Sequence, residues 1–417
     1  MARAKAARTA AALAHGPRQG AWRGWLERAF VLVTLAILVA PMFVQFALRS
    51  EPRRGENRAP ATFPASPASV AALPAWTAGV DAWLRDHFGL RKRYLDVLDQ
   101  IRYRVFGGFS SPQILMGRDG RIFLASHAAG EGYRNSLIRT SCGAGVSVAR
   151  LQEIAGSLAM VLERSETASP ARHLVVLVPS ASALYPSELP AWLERQCRAS
   201  APLLDGIVAA LPGPVRARVV NLHPLLAALD PATPGIPRLN FHWAGIGPLR
   251  SAAWIAETSL GRRAAFPMPT RVVVERSDIN FFFPGVRVTG EVTVANAAQA
   301  GVASCLGSPC FEATLGADVA RLMEDMRRYE GPGPEGRLLL LTDSFGAFVA
   351  EGFTPYFREV VQVSLNNLPQ LSGEQRARLR RALLEEYRPD VTLFLVHDYA
   401  ATYAWDIILR DLLPAAP

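Results

Sequence analysis

The chain has 417 residues, half of them hydrophobic and 19% charged, which excludes an intrinsically disordered protein because such chains lack the apolar surface to offset ordering entropy. Its 32 Gly and 31 Pro follow no Gly-X-Y period, and four cysteines are too few for a disulfide-built scaffold. The net charge of +9 is concentrated at one end: Arg3, Lys5, Arg8, Arg18, Arg23 and Arg28 against Glu27 give residues 1–28 a net +5 and leave +4 for the other 389, so nucleic-acid binding is not indicated.

Residues 29–48 follow, 20 in a row without a charge. As a helix they span about 30 Å, the thickness of a bilayer core. A cleaved signal peptide would have a shorter apolar core and a small-residue cleavage site. The length of the run, followed by Arg49, Glu51, Arg53 and Arg54, favours an uncleaved anchor. Cations flank both sides, so orientation rests on the short tail (1–28) staying cytoplasmic. The expected placement is single-pass in an inner membrane, with the body in the periplasm. Residues 49–75, rich in Arg, Pro, Ala and Ser, read as a linker.

From residue 76 to 105 the apolar spacing is helical (Val80, Trp83, Leu84; Tyr94, Val97, Leu98, Ile101), with Gly89 placed to end the first helix. Residues 116–124 read as a hairpin turning at Asp119-Gly120. A helix is expected from Val148 through Val161, then short apolar runs at 174–178, 217–222, 338–345, 360–365 and 391–396 that read as buried strands. A helix at 374–387 is opened by Ser372 and Gln375, a capping box. Strands alternating with helices predict a three-layer α/β domain over 76–417 with a central, mainly parallel sheet. Residues 270–296 break the alternation with period-2 character and read as a β insertion. Cys305 and Cys310 flank a short turn that a disulfide can close, and Cys142 with Cys197 offers a second; four free buried thiols is the alternative. Neither spacing suits zinc, and no Walker or GxGxxG loop is present, so no metal or cofactor is expected.

Active sites of open α/β sheets gather at the carboxyl ends of the strands. The run 338–345 ends in Thr342, Asp343 and Ser344, and Gly346 and Ala347 give room for a tight turn. A serine there presents its hydroxyl at the sheet edge, with its N–H near a helix N-terminus where an oxyanion is stabilised; N-capping of that helix is the plainer role. A base is needed. His242, in the aromatic and small-residue cluster around 238–247, is the first choice, and His397, directly after the fifth strand, is its rival.

Five stretches in order resemble the SGNH-hydrolase-like polysaccharide O-acetylation proteins, the AlgJ/AlgX type of alginate O-acetyltransferase: DHFGLR (86–91), GRDGRIFL (117–124), VPSASALYPSELP (178–190), NFHW (240–243) and TDSF (342–345). The resemblance spans roughly residues 75–400. It implies an SGNH-hydrolase-like domain and a serine esterase-like site in the chain order acid, His, Ser. Ser344 matches the nucleophile and His242 the base. The implied reaction moves an acetyl group to hydroxyls of an exported polysaccharide through an acetyl-serine, supplied by a membrane-bound acyl-carrier protein.

The departures bear on the mechanism. Asn240 stands where the family has its triad Asp, and an amide cannot stabilise an imidazolium by charge. Ser180-Ala181 stand where the family favours a lysine, and Thr342 replaces a Gly. Either another carboxylate serves, with Asp398 and Asp343 the candidates, although the Asp343 side chain is expected to face away; or activity is weak; or the chain binds glycan or scaffolds an acetylation complex. An acetyl esterase would use the same triad with water as acceptor. Asn366 and Asn367, after the fourth strand, are candidate oxyanion donors.

Overall fold

The structure, a computed structural model, describes residues 18–48, 61–87, 90–109, 111–126, 135–283, 285–323 and 325–413. Most of the basic tail, part of the linker, Gly89 and His127 lie outside them. The chain divides into two compact units, one ending at Ile101 and the other beginning at Arg102.

In the first unit, Arg18–Leu48 is one 31-residue helix that includes residues 29–48, where an anchor was expected. Its side chains at 18–23, 38, 41, 42 and 44–48 are outside the described set, and those of Phe30, Val31, Leu32 and Val33 are exposed. Among the described residues no helix is long and apolar enough to cross a membrane. The helix expected to open the domain at residue 76 begins earlier, as Leu73–His87, and belongs to this unit. Phe63 stands edge-on to Trp83 at 5.2 Å, and Asp86 accepts a 2.8 Å hydrogen bond from the Ala61 N–H, so the end of the linker folds back along this helix.

The second unit is mixed α/β. Strands β1 (Ile114–Met116) and β2 (Ile122–Leu124) form the expected hairpin. Asp119 and Gly120 both take positive φ (54° and 75°), the left-handed pair that an Asp-Gly turn supplies. The main sheet has seven strands. The five expected from the apolar runs are β3 (Arg172–Val178), β4 (Val219–Asn221), β9 (Arg337–Thr342), β10 (Glu359–Ser364) and β11 (Val391–His397); the order is β4-β3-β11-β9-β10, all parallel. Two further strands, β7 (Ala303–Leu306) and β8 (Met326–Glu330), extend the β10 edge antiparallel. The 270–296 insertion is a separate hairpin of β5 (Thr270–Arg276) and β6 (Thr289–Ala295).

Period 2 assigns the side chains to layers. Leu174, Val176, Leu338, Leu340, Leu393 and Leu395 face one buried cluster, and Val175, Leu177, Leu339, Leu341, Phe394 and Val396 face the other. The second cluster is covered by helices such as Val148–Ala168, N-capped by Ser147, and the first by Ile246–Trp254. This is the three-layer arrangement. Ser372 and Gln375 form the expected capping box at Gly373–Arg380. Disulfides join Cys142 to Cys197 and Cys305 to Cys310. With Thr342 paired to Leu395 and His397 to Val178, the carboxyl ends of β3, β9 and β11 lie side by side.

Candidate active site

Strand β9 is buried to its last residue and delivers Asp343 and Ser344 to the sheet edge. The chain turns at once into a five-residue 3-10 segment, Ser344–Phe348. The turn is possible because Gly346 lies against Thr342: a Cβ there would meet the Thr342 Oγ1 at 2.1 Å. The expected helix is therefore a 3-10 turn with little macrodipole. Its cap is Asp343, whose Oδ1 accepts from the Phe345 N–H at 2.9 Å, rather than Ser344. Ser344 is left half-buried with its hydroxyl uncommitted to the cap.

The histidine arrives from the segment before helix Ile246–Trp254. Trp243 is fully buried, and its Nε1–H donates to the Phe345 carbonyl at 2.7 Å, clamping this segment to the turn that carries Ser344. The clamp brings His242 Nε2 to 3.1 Å from Ser344 Oγ across 102 residues of chain. Phe348 stacks on the imidazole at 5.5 Å and Phe241 lies at 4.5 Å, so the ring is held among aromatics.

The carboxylate behind His242 is none of those expected. Asp278, in the segment joining β5 to β6, is buried, and its Oδ2 lies 3.3 Å from His242 Nδ1. The same oxygen accepts the backbone N–H groups of Phe241 and His242, each at 2.8 Å. The chain order is thus His, acid, Ser, correcting the order that the resemblance implied. Asn240 does not face the imidazole as a substitute acid. Its Oδ1 accepts the Asp278 N–H at 3.2 Å, so it holds the backbone of the residue that carries the charge. The sequence offered one signal: an aspartate in an apolar stretch (Ile279 and the phenylalanines after it) is buried only when paired.

The other expected residues are committed elsewhere. Asp343 faces away from Ser344, as expected, toward His397: its Oδ2 is 2.6 Å from His397 Nδ1 and accepts the His397 N–H at 2.7 Å. Burial acts to lower the His397 pKa, and the Asp343 charge and hydrogen bond, with Asp398, outweigh it and raise it. Asp398 is fully buried and accepts from Ser141 Oγ, Ser180 Oγ and the N–H groups of Ser180 and Tyr399, at 2.7 to 2.8 Å. Neither carboxylate is the partner of His242. Asn366 is exposed, and the Asn367 amide donates to the Leu322 carbonyl and accepts from Gln370, so neither amide is arranged as an oxyanion donor. Among the described residues no group of side chains suits a metal ion.

No family model matches the chain, and no curated protein does. Among solved structures it is similar to a DHHW family protein from Eubacterium siraeum (15% identity, covering 63% of this chain and 89% of that one, TM-score 0.45). It is also similar to the O-acetyltransferase domain of Pseudomonas putida AlgJ (13%, 70% and 93%, 0.41) and to Pseudomonas aeruginosa AlgX (13%, 73% and 65%, 0.38).

Proposed function

We propose that this protein is an O-acetyltransferase that acetylates hydroxyls of an exported polysaccharide through an acetyl-Ser344 intermediate. The observation that carries the proposal is the continuous line from Ser344 Oγ to His242 Nε2 (3.1 Å) and from His242 Nδ1 to Asp278 (3.3 Å). That is the arrangement of a serine nucleophile, its general base and the group that fixes the base's tautomer.

In the first half-reaction Ser344 Oγ attacks the acetyl carbonyl of the donor and His242 Nε2 takes its proton. Asp278 keeps the other proton on Nδ1 and stabilises the imidazolium that forms. The backbone N–H of Ser344, at the first position of its 3-10 turn, is the oxyanion donor we assign, since N–H groups there have no partner within the turn. Collapse breaks the bond to the donor's leaving group, which takes the proton from His242. In the second half-reaction a sugar hydroxyl gives its proton to His242 and attacks the acetyl-serine. Ser344 leaves and regains that proton.

A catalytically weakened, scaffolding relative was the alternative because residue 240 is an amide. Asp278 supplies the missing charge and favours the enzyme reading. The 20 uncharged residues at 29–48 support a membrane anchor, and with it periplasmic action and an acetyl supply from a membrane-bound carrier protein. The test is to incubate the detergent-solubilised full chain with a chromogenic acetyl ester, with and without oligosaccharide. Acetyl on Ser344 by mass spectrometry, transferred to sugar and absent in Ser344→Ala, is the expected result. Ester turnover unchanged by Ser344→Ala would end the proposal.

A further inference from the structure

His397 is not joined to the nucleophile, yet it holds the residue on either side of it. Its Nδ1 and N–H both bond to Asp343, at 2.6 and 2.7 Å, and its ring lies flat on Phe345, with centroids 4.9 Å apart and planes 9° from parallel. Ser344 is the one residue between these two grips. Resting on the reading of Ser344 as the nucleophile, we propose that His397 is a positioning residue which, as an imidazolium paired with Asp343, fixes the turn that presents the serine to His242.

The charge state follows from the surroundings. Asp343 faces the ring from the end of β9 and Asp398 from its own strand end, two carboxylates that favour the cation. His242 lies beyond Phe345, 5.2 Å from that ring. Tyr403 lies close to Asp343 and edge-on to Tyr399 at 5.9 Å; burial and the charge of Asp343 push the Tyr403 hydroxyl up to about 12, so it stays neutral. His397 Nε2 is buried without a partner among the described residues. The His397 residue lines a cavity of about 20 Å³ with Ser180 and Ser182. Because the pKa is raised, the ion pair is complete at lower pH and is lost as pH rises through the folded-state value. The other dyad works in the opposite sense, since His242 must be neutral to act as a base. One histidine is needed without its extra proton and the other with it.

The test is the rate at which an alkyl fluorophosphonate modifies Ser344 in the detergent-solubilised full chain, measured by intact mass across pH. In the wild type the rate should fall above the ordinary histidine range as His397 loses its proton. His397→Asn, whose amide nitrogen takes the place of Nδ1 and keeps a donor for Asp343, should lower the rate modestly and abolish the alkaline fall. His397→Ala should lower it by about 10²-fold, the effect of a small misplacement, with kcat for an acetyl ester reduced more than KM is changed. A wild-type rate that shows no such fall overturns the proposal whether or not the variants fold, as do folded variants that match the wild type. Ser344 unreactive in the wild type overturns both this inference and the acetyl-serine reading.

Discussion

Asp278 holds His242 at two points and its neighbour Phe241 at a third: its Oδ2 lies 3.3 Å from the imidazole Nδ1 and accepts the N–H groups of Phe241 and His242 at 2.8 Å each. The carboxylate thus fixes the backbone that carries the ring as well as the ring. Asp278→Asn should lower kcat by an amount on the order of 10⁴, the loss seen when a serine protease triad undergoes the same change. The rate of acetyl-Ser344 formation measures it. Asn240→Asp restores the motif's carboxylate on paper and should bring no gain, because the acid's place is filled and a second negative charge would lie beside Asp278. A rate increase in Asn240→Asp would show that residue 240 can serve as the acid.

Gly346 should be intolerant of the smallest substitution. An added Cβ would meet Thr342 Oγ1, Cβ and Cγ2 at 2.1, 2.2 and 2.4 Å, a contact that requires the turn to move. Gly346→Ala should cost about 1–3 kcal/mol as an overpacked site. It should also slow acetylation by about 10²-fold through displacement of Ser344. Denaturant unfolding and single-turnover kinetics read the two effects separately.

The two disulfides should differ in weight. Cys142–Cys197 closes 55 residues and Cys305–Cys310 closes five. Loop-closure entropy gives about 4 kcal/mol for the first and about 2 kcal/mol for the second. Paired Cys→Ala variants compared by urea unfolding should show the larger loss at 142 and 197. Equal losses would mean that loop length does not control the effect.

His173 should impose an acid limit on stability. It is buried on β3 with Nε2 3.1 Å from the Ser169 carbonyl, and burial lowers its pKa, opposed in part by that hydrogen bond. The folded state therefore binds its proton less readily than the unfolded chain, and stability falls as pH drops below the unfolded value. His173→Gln keeps a donor for Ser169 and removes the titration. Its melting temperature should fall less than the wild type's between about pH 7.5 and 5.5.

Much of the architecture was legible because its causes are local. Runs such as 338–345 and 391–396 can bury both faces only as central parallel strands, and the Ser372–Gln375 box and the Asp119-Gly120 turn are formed by neighbours in sequence. Strands β7 and β8 were not legible. Arg327, Arg328 and Glu330 interrupt any apolar run, and this segment is a strand because the β10 edge pairs with it. The position of Ser344 at a strand end and the choice of His242 were available from residues and motifs. The acid was not. Asp278 sits 36 residues from His242 in an insertion outside the main sheet, and a single aspartate carries no motif.

The sequence by itself determined the five parallel strands, the local turns and the serine at the end of one of those strands, since backbone propensity and apolar period act over a few residues; its motifs singled out His242. Only the tertiary structure decided which carboxylate serves which imidazole: Asp278 for His242, and Asp343 for His397. A charge buried away from water is stable only against a partner, and that partner is whichever group the packing of distant segments brings within hydrogen-bond reach.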